Sequence, residues 1–250
     1  MKVLVVGDSC KDVFIYGKCD RLAPAAPVPV FVPLYSRENR GMAGNVYENL
    51  LSLKILETDL VTNKTEIVKT RYVEERTNHM FVRVDSEEDT VERIENIEKL
   101  NFNDYSAVII SDYDKGFLSE EDIFYIGKSH PLTFLDTKKI LGPWAESVKY
   151  IKINQSEYAV TKHTVENNNV LHDKLIITLG SKGCSYGKKK FPVSSVEIKD
   201  LTGAGDTFLA ALVFKYLVSH SQNIYESIKF ANECATKVVQ QKGVNVIDGV

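Results

Sequence analysis

Cysteine is scarce. The chain of 250 residues has four, Cys10, Cys19, Cys184 and Cys234, and no two form a CxxC pair. That spacing excludes a disulfide framework and a zinc ribbon, and reads as reduced thiols. A basic excess is also missing: 31 Lys and Arg stand against 34 Asp and Glu, a net charge of −3. Nucleic-acid binders usually carry a basic stripe, so that class is set aside. No apolar run approaches the ~20 residues of a membrane span. The opening "MKVLVVGDS" is too short in its apolar part for a signal peptide. Repeats and low-complexity tracts are absent too. These absences predict a cytoplasmic protein with no nucleic-acid and no membrane partner. What remains, 44% hydrophobic and 26% charged, is ordinary for a folded α/β domain.

Short continuous apolar runs occur at "KVLVV" (2–6), "SAVIIS" (106–111), "LTFLD" (132–136), "KYIKI" (149–153) and "KLIITL" (174–179). Such runs fit strands buried on both faces. Helical stretches are expected at 119–128, 140–147 and 155–162 between them. The alternation predicts a mostly parallel sheet flanked by helices. Four other segments differ: 12–17, 28–35, 66–75 and 80–85. They are β-rich, alternating or interrupted by Pro27, Pro29 and Pro33. Alternation predicts antiparallel strands with one wet face, and the prolines predict an edge. We read the four as a small sheet inserted in the core, serving as a lid or a dimer interface. The last third predicts two helices, a buried one over 206–218 and an amphipathic one over 223–240.

The stretch "DLTGAGDTFLAALVF" (200–214) carries the chemistry. It is neither a GxxxxGK[ST] loop nor a GxGxxG turn. Its small residues nevertheless let backbone N–H groups converge at a helix start, where an anion is stabilised. Asp206 stands at that start. It either caps the helix or acts as a general base beside a bound phosphate. A cap alone does not call for two preceding glycines and a buried helix behind it.

"DLTGAGDTFLAAL" resembles the C-terminal signature of the ribokinase-like (PfkB) carbohydrate kinases. Further matches fall in order. "RGMAGNVYENL" (40–50) resembles their N-terminal signature through Gly41, Gly44 and Asn45. "NQSE" (154–157) resembles their NxxE motif, and "TLGSKG" (178–183) their TxGxxG turn. Within the family, "GDSCKDVFIYGKCDRLAPAAPVPVF" (7–31), "TRYVEERTNHMFVRVDSEE" (70–88) and "ISDYDKGFL" (110–118) are similar to bacterial heptose-7-phosphate kinases.

The resemblance implies a ribokinase-like three-layer α/β/α sandwich with a β-sheet lid, residues 1–250 forming one kinase domain. It implies ATP as donor, Mg²⁺ with the nucleotide and a K⁺-type ion. It implies Asp206 as base and the turn Gly203, Ala204 and Gly205 as anion hole. Asp12, Gly41 and Asn45 would contact the sugar, and Lys115, Arg71 and Arg83 a substrate phosphate. Asn154, Thr178, Gly180, Gly183 and Asn232 would line the nucleotide. Glu157 would act through magnesium-bound water, and the carbonyls of Asp200 and Thr202 would hold the monovalent ion. The acceptor would be the C1 hydroxyl of a heptose 7-phosphate, and a homodimer through the lid is expected. Another sugar kinase, or a weakly catalytic sugar-phosphate binder, is the alternative.

Several bland readings stand beside these. Asp8 and Asp12 could end a strand. Asn45 could cap a helix, and Asn154 with Glu157 could form a capping pair. Lys115 could be a solvated surface lysine, and Tyr16, Phe31 and Phe81 could be lid packing. The sequence also departs from the pattern. Ala25 replaces a glutamate, Met42 interrupts the glycine turn, and Asn78-His79 replaces a glutamine pair. A strand–helix stretch is expected to be missing between 54 and 66, which would narrow the sheet. No HxGH occurs among the five histidines, so the nucleotidyltransferase domain of some relatives is not expected here.

Overall fold

A computed structural model describes residues 1–54, 57–86 and 91–247. In chain order the strands are β1 (Lys2–Gly7), β2 (Ser9–Lys18), β3 (Val32–Met42), β4 (Glu57–Val61), β5 (Ile67–Glu74) and β6 (Met80–Asp85). Then come β7 (Ala107–Asp112), β8 (Thr133–Thr137), β9 (Tyr150–Asn154), β10 (Leu175–Thr178), β11 (Cys184–Tyr186) and β12 (Lys189–Phe191). The helices are α1 (Ala43–Ser52), α2 (Glu120–Ser129), α3 (Gln155–Glu166), α4 (Asn169–Lys174), α5 (Ala204–Val218) and α6 (Ile224–Val238).

The large sheet has the order β12-β11-β10-β9-β8-β7-β1-β4. From β10 to β4 every pairing is parallel. Side chains alternate across it, as strand geometry dictates. Val3, Val5, Ala107 and Ile109 join one core, with α1, α5 and α6. Leu4, Val6, Val108 and Ile110 join the other, with α2. The runs read as apolar on both faces are therefore buried on both faces. Helix α5 is hydrophobic nearly all round and packs between α1 and α6, whose Ile228 and Ala231 are fully buried.

The second sheet has the order β3-β2-β5-β6. It is the small sheet expected, with two corrections. Residues 28–31 are not strand; only an isolated Leu22–Pro29 bridge pairs there, and β3 starts at Val32. Pro33 lies on β3, which is an edge as expected. The β2–β5 pairing is parallel, not antiparallel. The chain leaves β3 through α1 and β4 before returning as β5, and such a crossover delivers a parallel strand.

Two core expectations also change. Residues 140–147 hold only a short 3₁₀ turn over Pro143–Ser147, because Gly142 and Pro143 interrupt the helix. The edge near β1 is not stripped bare: Glu57–Val61 pairs with β1 along its length. Only residues 62–66 then separate this strand from the lid strand β5.

Phe134 is 1% exposed and packs its ring against Tyr150 and Tyr216 at centroid distances of 5.3 and 5.7 Å. It joins the sheet to α5. Phe134→Ala should cost about 3–5 kcal/mol, read as a lower urea midpoint at unchanged slope.

Candidate active site

Helix α5 begins at the glycine turn. Gly203 adopts φ 80° at the N-cap position, a left-handed conformation that favours glycine. A Cβ there would also lie 2.5 Å from Asn45 Nδ2. Asp206 is the third helical residue, and its side chain does not cap the helix. Instead its carboxylate is buried and accepts two hydrogen bonds. Asn45 Nδ2 donates at 2.9 Å and the Tyr113 hydroxyl at 2.6 Å. Asn45 is not a cap either, since α1 starts two residues earlier. Its amide is oriented by Asn49, whose Nδ2 donates to Asn45 Oδ1 at 3.1 Å. Tyr113 is held in turn by Asp8. That carboxylate, fully buried, accepts from the backbone N–H groups of Tyr113 at 2.6 Å and Phe117 at 3.3 Å.

Burial raises the Asp206 carboxyl to about 6; the Tyr113 and Asn45 hydrogen bonds oppose it, Asp136 adds to it and Lys152 opposes it. Burial likewise pushes the Cys10 thiol up to about 12, with Asp12 and Asp206 adding their charge. The Cys10 thiol donates to Asp12 Oδ2 at 4.0 Å.

Beside the turn lies a cavity of roughly 690 Å³. Gly203, Ala204 and Gly205 line it, with Asn154, Thr178, Gly180, Gly183 and Asn232. The chain thus brings the glycine turn and all five nucleotide-side candidates to one hollow. Gly183 has φ 82°, and a Cβ on it would lie 2.0 Å from the Phe191 carbonyl oxygen. Only glycine lets β12 approach so closely. Asn232 donates to that same carbonyl at 3.0 Å. Asn154 and Glu157 do form a capping box at the start of α3. The Glu157 carboxylate also pairs with Lys138, whose ammonium stands 4.9 Å from the Tyr113 ring centre.

Of the sugar-side candidates, Asp12, Gly41, Arg71 and Arg83 sit on the lid strands, Asn45 on α1 and Lys115 in the loop after β7. Asp12 is 4% exposed and forms a buried ion pair with Arg71. Gly41 leaves room for it, since a Cβ there would lie 2.3 Å from Asp12 Oδ2. Arg83 faces Arg71 across β5–β6 but is exposed and paired with Asp85 on its own strand. Lys115 lies in the loop after β7 and is absent from the lining of the two larger cavities among the described residues. The second of these, roughly 650 Å³, opens between α1, the lid root and residues 62–66, with Asn45 in its wall. Asp200 braces the turn: its carboxylate accepts from Thr202 N at 2.8 Å and Gly243 N at 3.2 Å. Phe31 packs edge-on against Tyr72 and Phe81, and Tyr16 stacks on Tyr35.

Three residues of this region escape the motifs, Asp136, Lys138 and Lys152, and a fourth, Tyr113, lies inside "ISDYDKGFL" without a role read for it. Lys152 carried a signal, a lysine inside the apolar run "KYIKI". It is 4% exposed and donates to Asp136 Oδ2 at 2.6 Å.

The sequence profile of the pfkB family carbohydrate kinases matches residues 60–248. The chain belongs to that family. Its fold is ribokinase-like. It is 31% identical to the bifunctional protein HldE of Nitratiruptor sp. over 97% of the chain and 62% of that relative. Against the bifunctional protein HldE of Helicobacter pylori strain J99 the figures are 31%, 97% and 63%. The chain thus spans under two thirds of the length of these relatives. A ribokinase from Thermotoga maritima superposes with a TM-score of 0.69 at 16% identity, covering 97% of the chain and 94% of its own. Phosphofructokinase-2 from Escherichia coli, in complex with potassium, gives 0.70 at 11% over 98% and 94%. No helix among the described residues is long and apolar enough to cross a membrane.

The raised carboxyl makes a signed prediction. Asp206 in the folded chain keeps a proton that the unfolded chain has lost, so its contribution to stability is fully present below pH ~4 and is lost as pH rises through about 6. Relative to Asp206→Asn, the wild type should lose on the order of 3 kcal/mol between these limits. Urea titrations of both proteins from pH 4 to 7 measure it; parallel pH profiles contradict it.

Proposed function

We propose that this kinase moves the γ-phosphate of ATP to a sugar hydroxyl, with Asp206 as the base. The observation that carries the reading is the buried carboxylate with its carboxyl near 6, one residue past the glycine turn. At neutral pH it is ionised and poised to accept a proton. The N–H groups of Ala204, Gly205 and Asp206 open a helix, where they and its dipole hold a transferring phosphate. The adjoining cavity takes the nucleotide, along Thr178, Gly180 and Gly183, with Asn232 deep on the base side. Asp12, Gly41 and Asn45 face the sugar. Asp12 meets it only after parting from Arg71, so acceptor binding and the Arg71 contact are coupled.

Magnesium enters with the nucleotide. Asn154 and Glu157 would fit it, because Asn154 lines the cavity and its capping-box partner Glu157 adds a carboxylate, so the pair offers hard oxygen donors. The metal supplies charge neutralisation along the polyphosphate. Glu157 must then share its carboxylate between the metal's water and Lys138. A K⁺-type ion fits the carbonyls of Asp200 and Thr202, in a loop already fixed by the Asp200 side chain.

The acceptor we favour is the C1 hydroxyl of a heptose 7-phosphate, giving the 1,7-bisphosphate. Its support is the likeness of residues 7–31, 70–88 and 110–118 to heptose-7-phosphate kinases, and the two HldE relatives. Arg71 and Arg83, opposite each other on the lid, would meet the substrate phosphate, with Lys115 from the loop after β7. We read the chain as one cytoplasmic kinase domain whose lid pairs with a second copy. All six residues of β6 are exposed, including Met80, Phe81, Val82 and Val84, and such an edge invites pairing.

A panel of sugars and sugar phosphates with ATP tests the acceptor. Heptose 7-phosphate should be phosphorylated best; a preference for a free hexose or nucleoside overturns that choice. Asp206→Asn should lower kcat by 10²-fold or more while ADP still binds, and wild-type kcat should climb with pH through about 6. Sedimentation should show a dimer of the 28.1 kDa chain, and Val82→Glu with Val84→Glu should return the monomer.

A further inference from the structure

Lysine is almost never fully buried unless paired. Lys152 lies in the interior of β9, next to Asp136 of β8 in the sheet register, and both side chains are nearly inaccessible. Burying such a pair removes two ions from water, and an apolar pair of the same volume would be about as stable. Stability therefore does not explain it. The Asp136 carboxylate is also incompletely satisfied: Oδ2 takes the lysine, while Oδ1 is buried without a partner.

The position of the ammonium supplies the explanation. A Cβ built on Gly205 would lie 3.0 Å from Lys152 Nζ. The charge thus rests against the second glycine of the turn, in the wall of the same cavity. An ammonium has three N–H donors, and Asp136 takes one of them. Any side chain at position 205 would displace it. The glycine that frees the backbone N–H groups also makes room for this cation.

Resting on the phosphoryl-transfer reading above, we propose that Lys152 is a catalytic residue that donates a hydrogen bond to the phosphoryl group in flight, and that Asp136 is its positioning residue. As the acceptor oxygen forms its bond to phosphorus, its proton goes to Asp206. The bond from phosphorus to the leaving oxygen breaks, and its electron pair departs with the nucleoside diphosphate. Lys152 keeps its proton throughout and offsets charge on the equatorial oxygens, a preset charge in a site shielded from water. Asp136 holds Nζ against Gly205.

The test compares wild type with Lys152→Met, with Lys152→Arg, and with the double variant Asp136→Asn, Lys152→Met. The double variant leaves no lone buried charge, so it keeps the question open to experiment if the single variant fails to fold. Lys152→Met and the double variant should lose kcat by 10²-fold or more, with KM for ATP changed less than threefold. Calorimetry should find ADP bound as in wild type, but the tightening of ADP by aluminium fluoride, a mimic of the phosphoryl in flight, should vanish. Lys152→Arg, with the charge kept but its fork misplaced, should recover part of both. If wild type phosphorylates a sugar and the methionine variants stay within threefold in kcat and keep the fluoride effect, Lys152 has no catalytic part. If wild type phosphorylates no sugar in the panel, the phosphoryl-transfer reading itself fails, a different result.

Discussion

One carboxylate ties the molecule together. Asp206 is reached by three parts of the chain that are far apart in sequence: α5, which bears it, α1 through Asn45, and the loop after β7 through Tyr113. A buried carboxylate needs its donors, because water is not there to replace them. The donors are fixed in their turn. Asn49 orients Asn45, and the Asn49 carbonyl oxygen accepts from Ile247 N at 3.1 Å. Asp8, at the end of β1, holds the backbone of Tyr113. Helix, sheet and C-terminal segment are thus drawn to one point. The carboxyl's position near 6 is the balance between its burial and these two hydrogen bonds.

Around that point the charges are segregated. Cations line the nucleotide side: Lys138 and Lys152 both border the larger cavity. Acids sit beneath and beside it, as Asp8, Asp136 and Asp206, each buried. On the lid the sign is neutralised within a pair, Asp12 with Arg71, and Arg71 lies over the Phe14 ring at 5.0 Å.

Much of this was legible in the sequence for a physical reason. A strand buried on both faces has to be apolar throughout, so β1, β7, β8, β9 and β10 announced themselves, and "GAGD" signalled a turn that must bring N–H groups together. The lid was legible as a sheet, and as antiparallel in β2–β3 and β5–β6, but not in its one parallel pairing, because β2 and β5 are joined by a long crossover that no local pattern encodes. The helix expected at 140–147 failed where Gly142 and Pro143 outweigh the surrounding residues. Edge strand β4 was missed, since "ETDLV" is short and only half buried. In the site, motif spacing reached Asp206, Asn45 and the nucleotide-side glycines. It could not reach Lys138 or Lys152, and it gave Tyr113, inside "ISDYDKGFL", no role. Their partners lie on other strands, and adjacency across a sheet is set by topology.

The short link between the core edge and the lid has a mechanical meaning. Residues 62–66 are clamped by Asn63, whose side chain accepts from Ser9 N at 2.7 Å and donates to the Ser9 carbonyl at 3.1 Å. The lid strands meet the core at Ser9, Met42 and Ile67, and the registers Ser9–Met42 and Cys10–Ile67 set these residues side by side. Three hydrogen-bonded strands therefore cross the boundary in a single row, like the knuckles of a door hinge. The Asp12–Arg71 pair lies beyond that row, out on the small sheet, and Asp206 lies on α5 against the large one, so these three strands alone carry the chain from one carboxylate's sheet to the other's among the described residues.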